Sequence, residues 1–292
     1  MTGFLYLMVV YFVWGSTYLA IRLGVAAEAG FPPFYFGATR FLAAGLMLLA
    51  FAMIKRQRVR LTARELRVLA ITGVMLCLGG NGLVVWAEQR AESGYAALLV
   101  GSMPIWVAIA ESILDRKAPT VLLVLSLVLG FIGLGVLTYP VLSDPHGETD
   151  ALSVVALLVA PILWGLGSLY YQRNKLDVAP SAGAGIQMLF GAAALFAVAL
   201  IQSEPAPDPS RTAWFSWWYL VLFGSVLAYT SFMKALRLLP ASIVMTYAYV
   251  NPVVAVFLGW LVLRENVTAW TLAGTALIVA GVAGTFRARR RT

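Results

Sequence analysis

Long apolar stretches alternate with short polar ones along the 292 residues. A helix needs about 20 apolar residues to cross a bilayer. Ten stretches meet that length, at about 4–22, 34–54, 66–87, 93–113, 121–139, 151–171, 183–202, 214–233, 241–263 and 270–286. Each predicts a helix, because hydrocarbon offers no partner to an open sheet edge. The links carry helix breakers: Phe31-Pro32-Pro33, Lys117-Ala118-Pro119, Asp144-Pro145-His146-Gly147 and the proline-rich run Pro205 to Pro209. The pattern therefore predicts an all-α membrane protein with ten transmembrane helices. The first stretch has no basic segment before it and no small-residue cleavage motif after it, so it is read as a retained span.

Composition removes the soluble alternative. Hydrophobic residues make up 61% of the chain and charged residues 12%, against about 25% charged in an average soluble domain. A soluble core cannot hide that much apolar surface. The single cysteine, Cys77, lies inside an apolar stretch, and the single histidine, His146, lies in a polar loop. Neither a disulfide framework nor a thiolate metal site is available. No glycine-rich phosphate loop, Walker motif, nucleophile elbow, paired histidine ligands or central carboxylate dyad occurs. No catalytic residue, metal or cofactor is expected, and the chain does not read as an enzyme.

Net charge is +8, but the bases sit in the short links, which is topology information and not a nucleic-acid footprint. With the N-terminus inside, the inner links hold 16 Lys and Arg and the outer links 4. Nine of the 13 acids fall outside. Both termini are therefore predicted to be cytoplasmic in an inner membrane. The basic run 55–67 fits anchoring at anionic headgroups.

The stretches are also written twice. Trp14-Gly15 recurs as Trp164-Gly165, and Met103-Pro104 as Asn251-Pro252, 150 and 148 residues later. Residues 78–117 align with 226–265 without a gap, which sets Asn81 opposite Tyr229. Five spans per half make the halves enter the membrane in opposite senses, an inverted repeat. The expected division is 1–142 for the first repeat, 143–150 for an external linker, 151–286 for the second repeat and 287–292 for a basic cytoplasmic tail. Such a duplicated, proline-interrupted chain reads as a secondary transporter, and one chain should suffice as a monomer.

Four features taken together resemble the EamA branch of the drug/metabolite transporter superfamily over the whole chain. They are the segment Val13-Trp14-Gly15-Ser16-Thr17-Tyr18-Leu19-Ala20, the second Leu163-Trp164-Gly165, the pair Asn251-Pro252 and the closing Gly274…Gly281-Val282. The resemblance implies a ten-helix exporter of small metabolites with a central cavity, and the family's aromatic amino acid exporters are the first comparison it suggests.

Candidate cavity residues are those whose polarity or aromaticity is out of place in mid-span. Trp14 and Trp164 lie far from the interface that tryptophan prefers, where they can stack on a ligand or pack against a helix. Asn81 sits among Gly79, Gly80 and Gly82, each glycine costing a helix about 1 kcal/mol. That segment either frees backbone groups for a substrate or permits tight packing. Asn251 precedes Pro252, which releases a carbonyl about four residues back. Tyr95, Met103, Tyr229 and Tyr247 complete the aromatic, thioether-rich set, with Trp106 and Tyr249 beside them. Pro104 and Pro252 predict kinks in spans 4 and 9, and with the three glycines they are the candidate hinges.

Glu111 and Arg40 are the charges within spans, and neither is central. Snorkelling or a structural ion pair is the expectation for both. With no Lys or Arg near a span centre, anionic nucleotide-sugars are disfavoured. Small hydrophobic metabolites, aromatic amino acids first, are favoured over drugs or purines. The lack of a midplane acid points to facilitated diffusion without a coupled ion. A channel would want a ring of like groups from an oligomer, which a single asymmetric chain does not offer.

Overall fold

The computed structural model describes residues 2–25, 27–90, 93–142, 151–258 and 268–289. Among them are helices and turns and no strand. The linker expected at 143–150 lies outside the described residues. In chain order the helices are α1 Thr2–Val25, α2 Pro33–Ile54, α3 Ala63–Ala87, α4 Ser93–Val100, α5 Met103–Asp115 and α6 Val121–Leu142. They continue as α7 Ala151–Asn174, α8 Pro180–Ile201, α9 Arg211–Leu238, α10 Ala241–Val244, α11 Tyr247–Leu258 and α12 Ala269–Arg289. Eight described segments are long and apolar enough to cross a membrane, and Thr2–Thr17 and Ala241–Val254 are shorter apolar helices at the first and ninth stretches. Helix α12 runs three residues into the expected tail.

Local chemistry sets the helix ends. Thr62 and Glu65 form a reciprocal capping box at the start of α3. At the start of α2 the N-cap residue is Pro32, which offers no side-chain cap. Glu204, which follows the end of α8, substitutes for it: its two carboxylate oxygens accept the backbone N–H groups of Phe34 and Tyr35, each at 3.0 Å. The negative charge also complements the helix dipole. Glu204→Ala is expected to cost about 1 kcal/mol, read as a lower thermal midpoint of the purified protein. An unchanged midpoint would remove this cap from the account.

Two membrane helices at matching places in the halves pack on each other. Helices α2 and α8 each have 22 residues and begin with proline, and they cross at Gly45 and Gly185. A Cβ on either glycine would come within about 3 Å of the other's carbonyl oxygen, 2.9 and 3.0 Å. Small residues at such crossings let helices approach where lipid supplies no hydrophobic drive between them. Helices α6 and α12 form the other extended pair, in close approach where Gly281 meets Gly130 and Gly274 meets Leu137. Helices α1 and α7 each reach across, α1 against the middle of α9 and α7 against the middle of α3.

Those middles are wide-turn helix. Val74–Gly82 of α3 and Leu220–Tyr229 of α9 are π-helical, a geometry that occurs mostly as single-turn bulges at functional positions. The loosening expected at Gly79–Gly82 is therefore present in α3. All three glycines also lie under close contacts: a Cβ would meet Leu163 at 2.7 Å from Gly79, Trp164 at 2.5 Å from Gly80 and Leu195 at 2.8 Å from Gly82.

The fourth and ninth stretches are interrupted, but not at the prolines. The first break falls at Gly101-Ser102, and Pro104 follows in the first turn of α5, where its missing N–H would be unpaired anyway. The second falls at Met245-Thr246, and Pro252 lies inside α11. A hydroxyl closes each break in the same manner. Ser102 Oγ donates to Leu99 O at 2.6 Å and Thr246 Oγ1 to Ile243 O at 2.6 Å, each adding a second bond to a carbonyl that already accepts the same residue's backbone N–H. Trp106 Nε1 donates to Ser102 Oγ at 3.0 Å, and Tyr11 OH lies 2.5 Å from Thr246 Oγ1.

Candidate functional site

The broken and widened helices surround one cavity of about 100 Å³. Seven of the eight candidate residues line it: Trp14 from α1, Asn81 from α3, Met103 from α5, Trp164 from α7, Tyr229 from α9, and Tyr247 and Asn251 from α11. They come from both halves of the chain, so no single half encloses the space. Tyr95 lies on α4, and its side chain is outside what is described. Trp106 and Tyr249 do not line the cavity, although Tyr249 is buried and donates to Leu127 O at 3.0 Å. Gly80 lines the cavity; Gly79, Gly82, Pro104 and Pro252 stand behind it.

An aromatic layer forms one wall. Trp14 and Trp164 meet edge to face with ring centroids 5.5 Å apart. Phe232 lies 5.1 and 5.6 Å from them, and Tyr247 is 4.9 Å from Trp14. Such edge-on pairs suit the ring quadrupole. Trp14 Nε1 donates at 2.9 Å to the carbonyl of Gly224, within the wide-turn segment of α9. Trp164 lines the cavity, and its buried Nε1 has no protein partner. Tyr247 OH lies 3.4 Å from Met103 Sδ. The Asn251 amide, oriented with its nitrogen toward the two carbonyls, donates to Tyr247 O at 3.0 Å and Tyr11 O at 3.1 Å.

Arg40 corrects the reading of the charges. It does not snorkel, and among the described residues no acid ion-pairs with it: the residue is 4% exposed and lines the cavity. Its Nη2 donates to Asn81 Oδ1 at 2.5 Å, and its Cζ lies 4.3 Å from the Phe41 ring centroid. A cation therefore stands in the cavity wall, where the sequence had suggested none. Two turns of α2 carry Arg40 from the helix start to the depth of the widened segment of α3. Among the described lining residues Arg40 is the only charged one.

Sequence reasoning also missed Thr17, Phe41 and Ser225 in the lining, and Phe232, which packs behind the two tryptophans. Phe232 is one of 15 phenylalanines and carries no local signal. Thr17 and Ser225 are small polar residues on apolar helices, the residue type that usually bonds its own helix, as Thr17 Oγ1 does to Trp14 O at 2.8 Å.

A second opening of about 720 Å³ lies farther along α7 and α9, lined by Asp115, Gln172, Arg173, Lys175 and Arg237 among others. From Trp164 to Leu169 on α7 and from Tyr229 to Leu236 on α9, one to two turns of mostly buried residues separate it from the cavity. Arg173 Nη2 bonds Asp115 Oδ1 at 2.8 Å across its rim.

Comparison with known proteins agrees with this architecture. The family model described as the EamA-like transporter family matches twice, over residues 1–139 and 151–287. The inner membrane transporter YedA of Escherichia coli (strain K12) is 34% identical over 255 residues, 87% of this chain and 80% of that one. The transporter YoaV of Bacillus subtilis (strain 168) is 24% identical over 283 residues, 96% and 95% of the two chains. A crystal structure with 21% sequence identity superposes with a TM-score of 0.79 over 99% of this chain and 98% of that one, which establishes a shared fold.

Proposed function

The chain belongs to the EamA-like transporter family, and from that premise we propose that it exports small hydrophobic metabolites, aromatic and other hydrophobic amino acids first, by alternating access. The observation that carries this reading is the cavity itself: a small space between the two halves, walled by Trp14, Trp164 and Tyr247, with Phe232 packed against both tryptophan rings, and offering polar contact at Asn81. Ten spans in two inverted repeats supply two packings of similar energy, one open to each side. The breaks at Gly101-Ser102 and Met245-Thr246, with the glycines of α3 and the prolines beside them, are where the helices bend between those states. The buried layer between the cavity and the basic opening is the closed gate on the cytoplasmic side. One chain forms the whole path. The described lining of the cavity contains no acid, which favours transport down the substrate's own gradient. Drugs or purines as cargo are the second reading, favoured by nothing beyond the same aromatic wall.

Counterflow in liposomes tests this. Purified protein is expected to exchange labelled phenylalanine, tyrosine or tryptophan, and an imposed proton or sodium gradient is expected to add no accumulation above equilibrium. Exchange of purines or dyes but of no amino acid would replace the first reading by the second.

Topology is tested separately. The 16-to-4 bias of bases predicts an inner membrane protein with cytoplasmic termini and an external 143–150 segment. In a variant lacking Cys77, a cysteine at Ser143 is expected to react with a membrane-impermeant maleimide from outside. Reaction from the cytoplasmic face alone would invert the assignment.

A further inference from the structure

We propose that Arg40 receives the anionic group of the transported molecule, and that this group is a single carboxylate carried on an apolar or aromatic body. The inference rests on the cavity being the transport site and narrows the substrate class that passes through it.

A guanidinium has five N–H donors. Here one bonds Asn81 Oδ1, and the Nε group is buried without a partner. No carboxylate ion-pairs with Arg40 among the described residues, and no Asp or Glu stands in the described cavity lining. The cavity thus carries an uncompensated positive charge. An intramembrane cation in that condition is costly to keep and marks a ligand path more often than a structural role.

The fold does not require the cation. Arg40 is the eighth residue of α2, and the eighth residue of the matching helix α8 is Gln187. Gln187 is fully buried and neutral. Its Nε2 donates to Thr72 Oγ1 at 2.7 Å, and its Oε1 accepts from Tyr229 OH at 3.2 Å. Tyr229 occupies in the wide segment of α9 the place that aligns with Asn81 in α3. One half therefore closes this contact with neutral, mutually satisfied groups. The other half puts a charge there with donors to spare, on a residue that lines the cavity.

The planar guanidinium fork matches a carboxylate bidentately. One cation neutralises one negative charge, which suits a monocarboxylate better than a phosphate dianion. The rings of Trp14 and Trp164 line the same small space and take the apolar body.

The test uses shape-matched probes on purified protein, followed by calorimetric affinity and thermal midpoint. They are 3-phenylpropionate, 3-phenylpropanol, 3-phenylpropylamine and the ring-free lactate. Wild type is expected to bind 3-phenylpropionate at least about ten-fold more tightly than the alcohol or the amine, the usual scale of a lost charge-assisted contact. Arg40→Gln, which copies the neutral half, is expected to erase that preference, and Arg40→Lys to keep part of it. Asn81→Asp guards against misfolding. It sets a carboxylate of the protein against Arg40, so it is expected to raise the thermal midpoint while abolishing binding of the acid.

Equal affinities for acid, alcohol and amine in wild type would overturn the proposal and leave the hydrophobic-exporter reading intact. Undiminished binding of the acid by Arg40→Gln would overturn it in the same way. Arg40-dependent binding of lactate with no binding of the phenyl compounds would uphold the role of Arg40 and discard the aromatic substrate instead.

Discussion

Gly281→Leu is expected to give little folded protein, with a stability loss of about 3 kcal/mol or more, at the upper end of what overpacking costs. The close approach of α6 and α12 leaves no room. A single Cβ at Gly281 would lie 2.6 Å from Gly130 N, 2.7 Å from Gly130 Cα and 2.7 Å from Ser126 O. These are backbone atoms, which cannot rotate away as a side-chain end can. Seven residues earlier, a Cβ at Gly274 would lie 2.6 Å from Leu137 N, so the helix cannot pivot to relieve the first clash without making a second. Gly281→Ala is expected to show a smaller loss in the same direction. Thermal unfolding and monodisperse yield in detergent measure both. A leucine variant that melts with wild type would mean that α6 and α12 do not meet here.

Trp164→Ala is expected to weaken substrate binding by about 1–3 kcal/mol, the scale of one stacking or hydrogen-bonding contact. Trp164 meets Trp14, Phe232 and Tyr229 by its ring, and it holds an unpartnered indole N–H in the cavity wall. Truncation also removes packing, because Gly80 sits directly beneath the ring. Trp164→Phe separates the two effects: it keeps an aromatic surface and lacks the donor. The expected order of affinity in counterflow is wild type, then phenylalanine, then alanine. Wild-type transport by both Trp164→Ala and Asn81→Ala would remove the site from this cavity.

Seven of eight candidate residues converge on one space, and the reason they could be picked is physical. A tryptophan, an asparagine or a proline is conspicuous in mid-span because lipid tolerates it poorly. Arg40 was equally conspicuous and was misread, because depth along its own helix was the only measure available. Its position two turns from a helix end says nothing about the neighbouring helix, and Asn81 of α3 is what holds it inside. Phe232 was invisible for the opposite reason: an apolar residue in an apolar stretch has the same local signature whether it faces lipid, a helix or a cavity. Proline predicts kinks in the fourth and ninth stretches. The structure adds helix breaks upstream of both prolines, at Gly101-Ser102 and Met245-Thr246, where a hydroxyl bonds the carbonyl three residues back.

The sequence by itself determined that this is a helical membrane protein written as two similar halves. That information is local: bilayer thickness fixes stretch length, charge fixes the links, and repetition needs only alignment. Which side chains share the cavity was decided by tertiary structure alone. Lipid is as apolar as the helix faces, so hydropathy does not say which face turns inward. Tertiary packing, close enough that Gly80 lies under the Trp164 ring and Gly15 against the Asn251 carbonyl, brings Arg40 to Asn81 and Trp14 to Trp164 across 41 and 150 residues of chain.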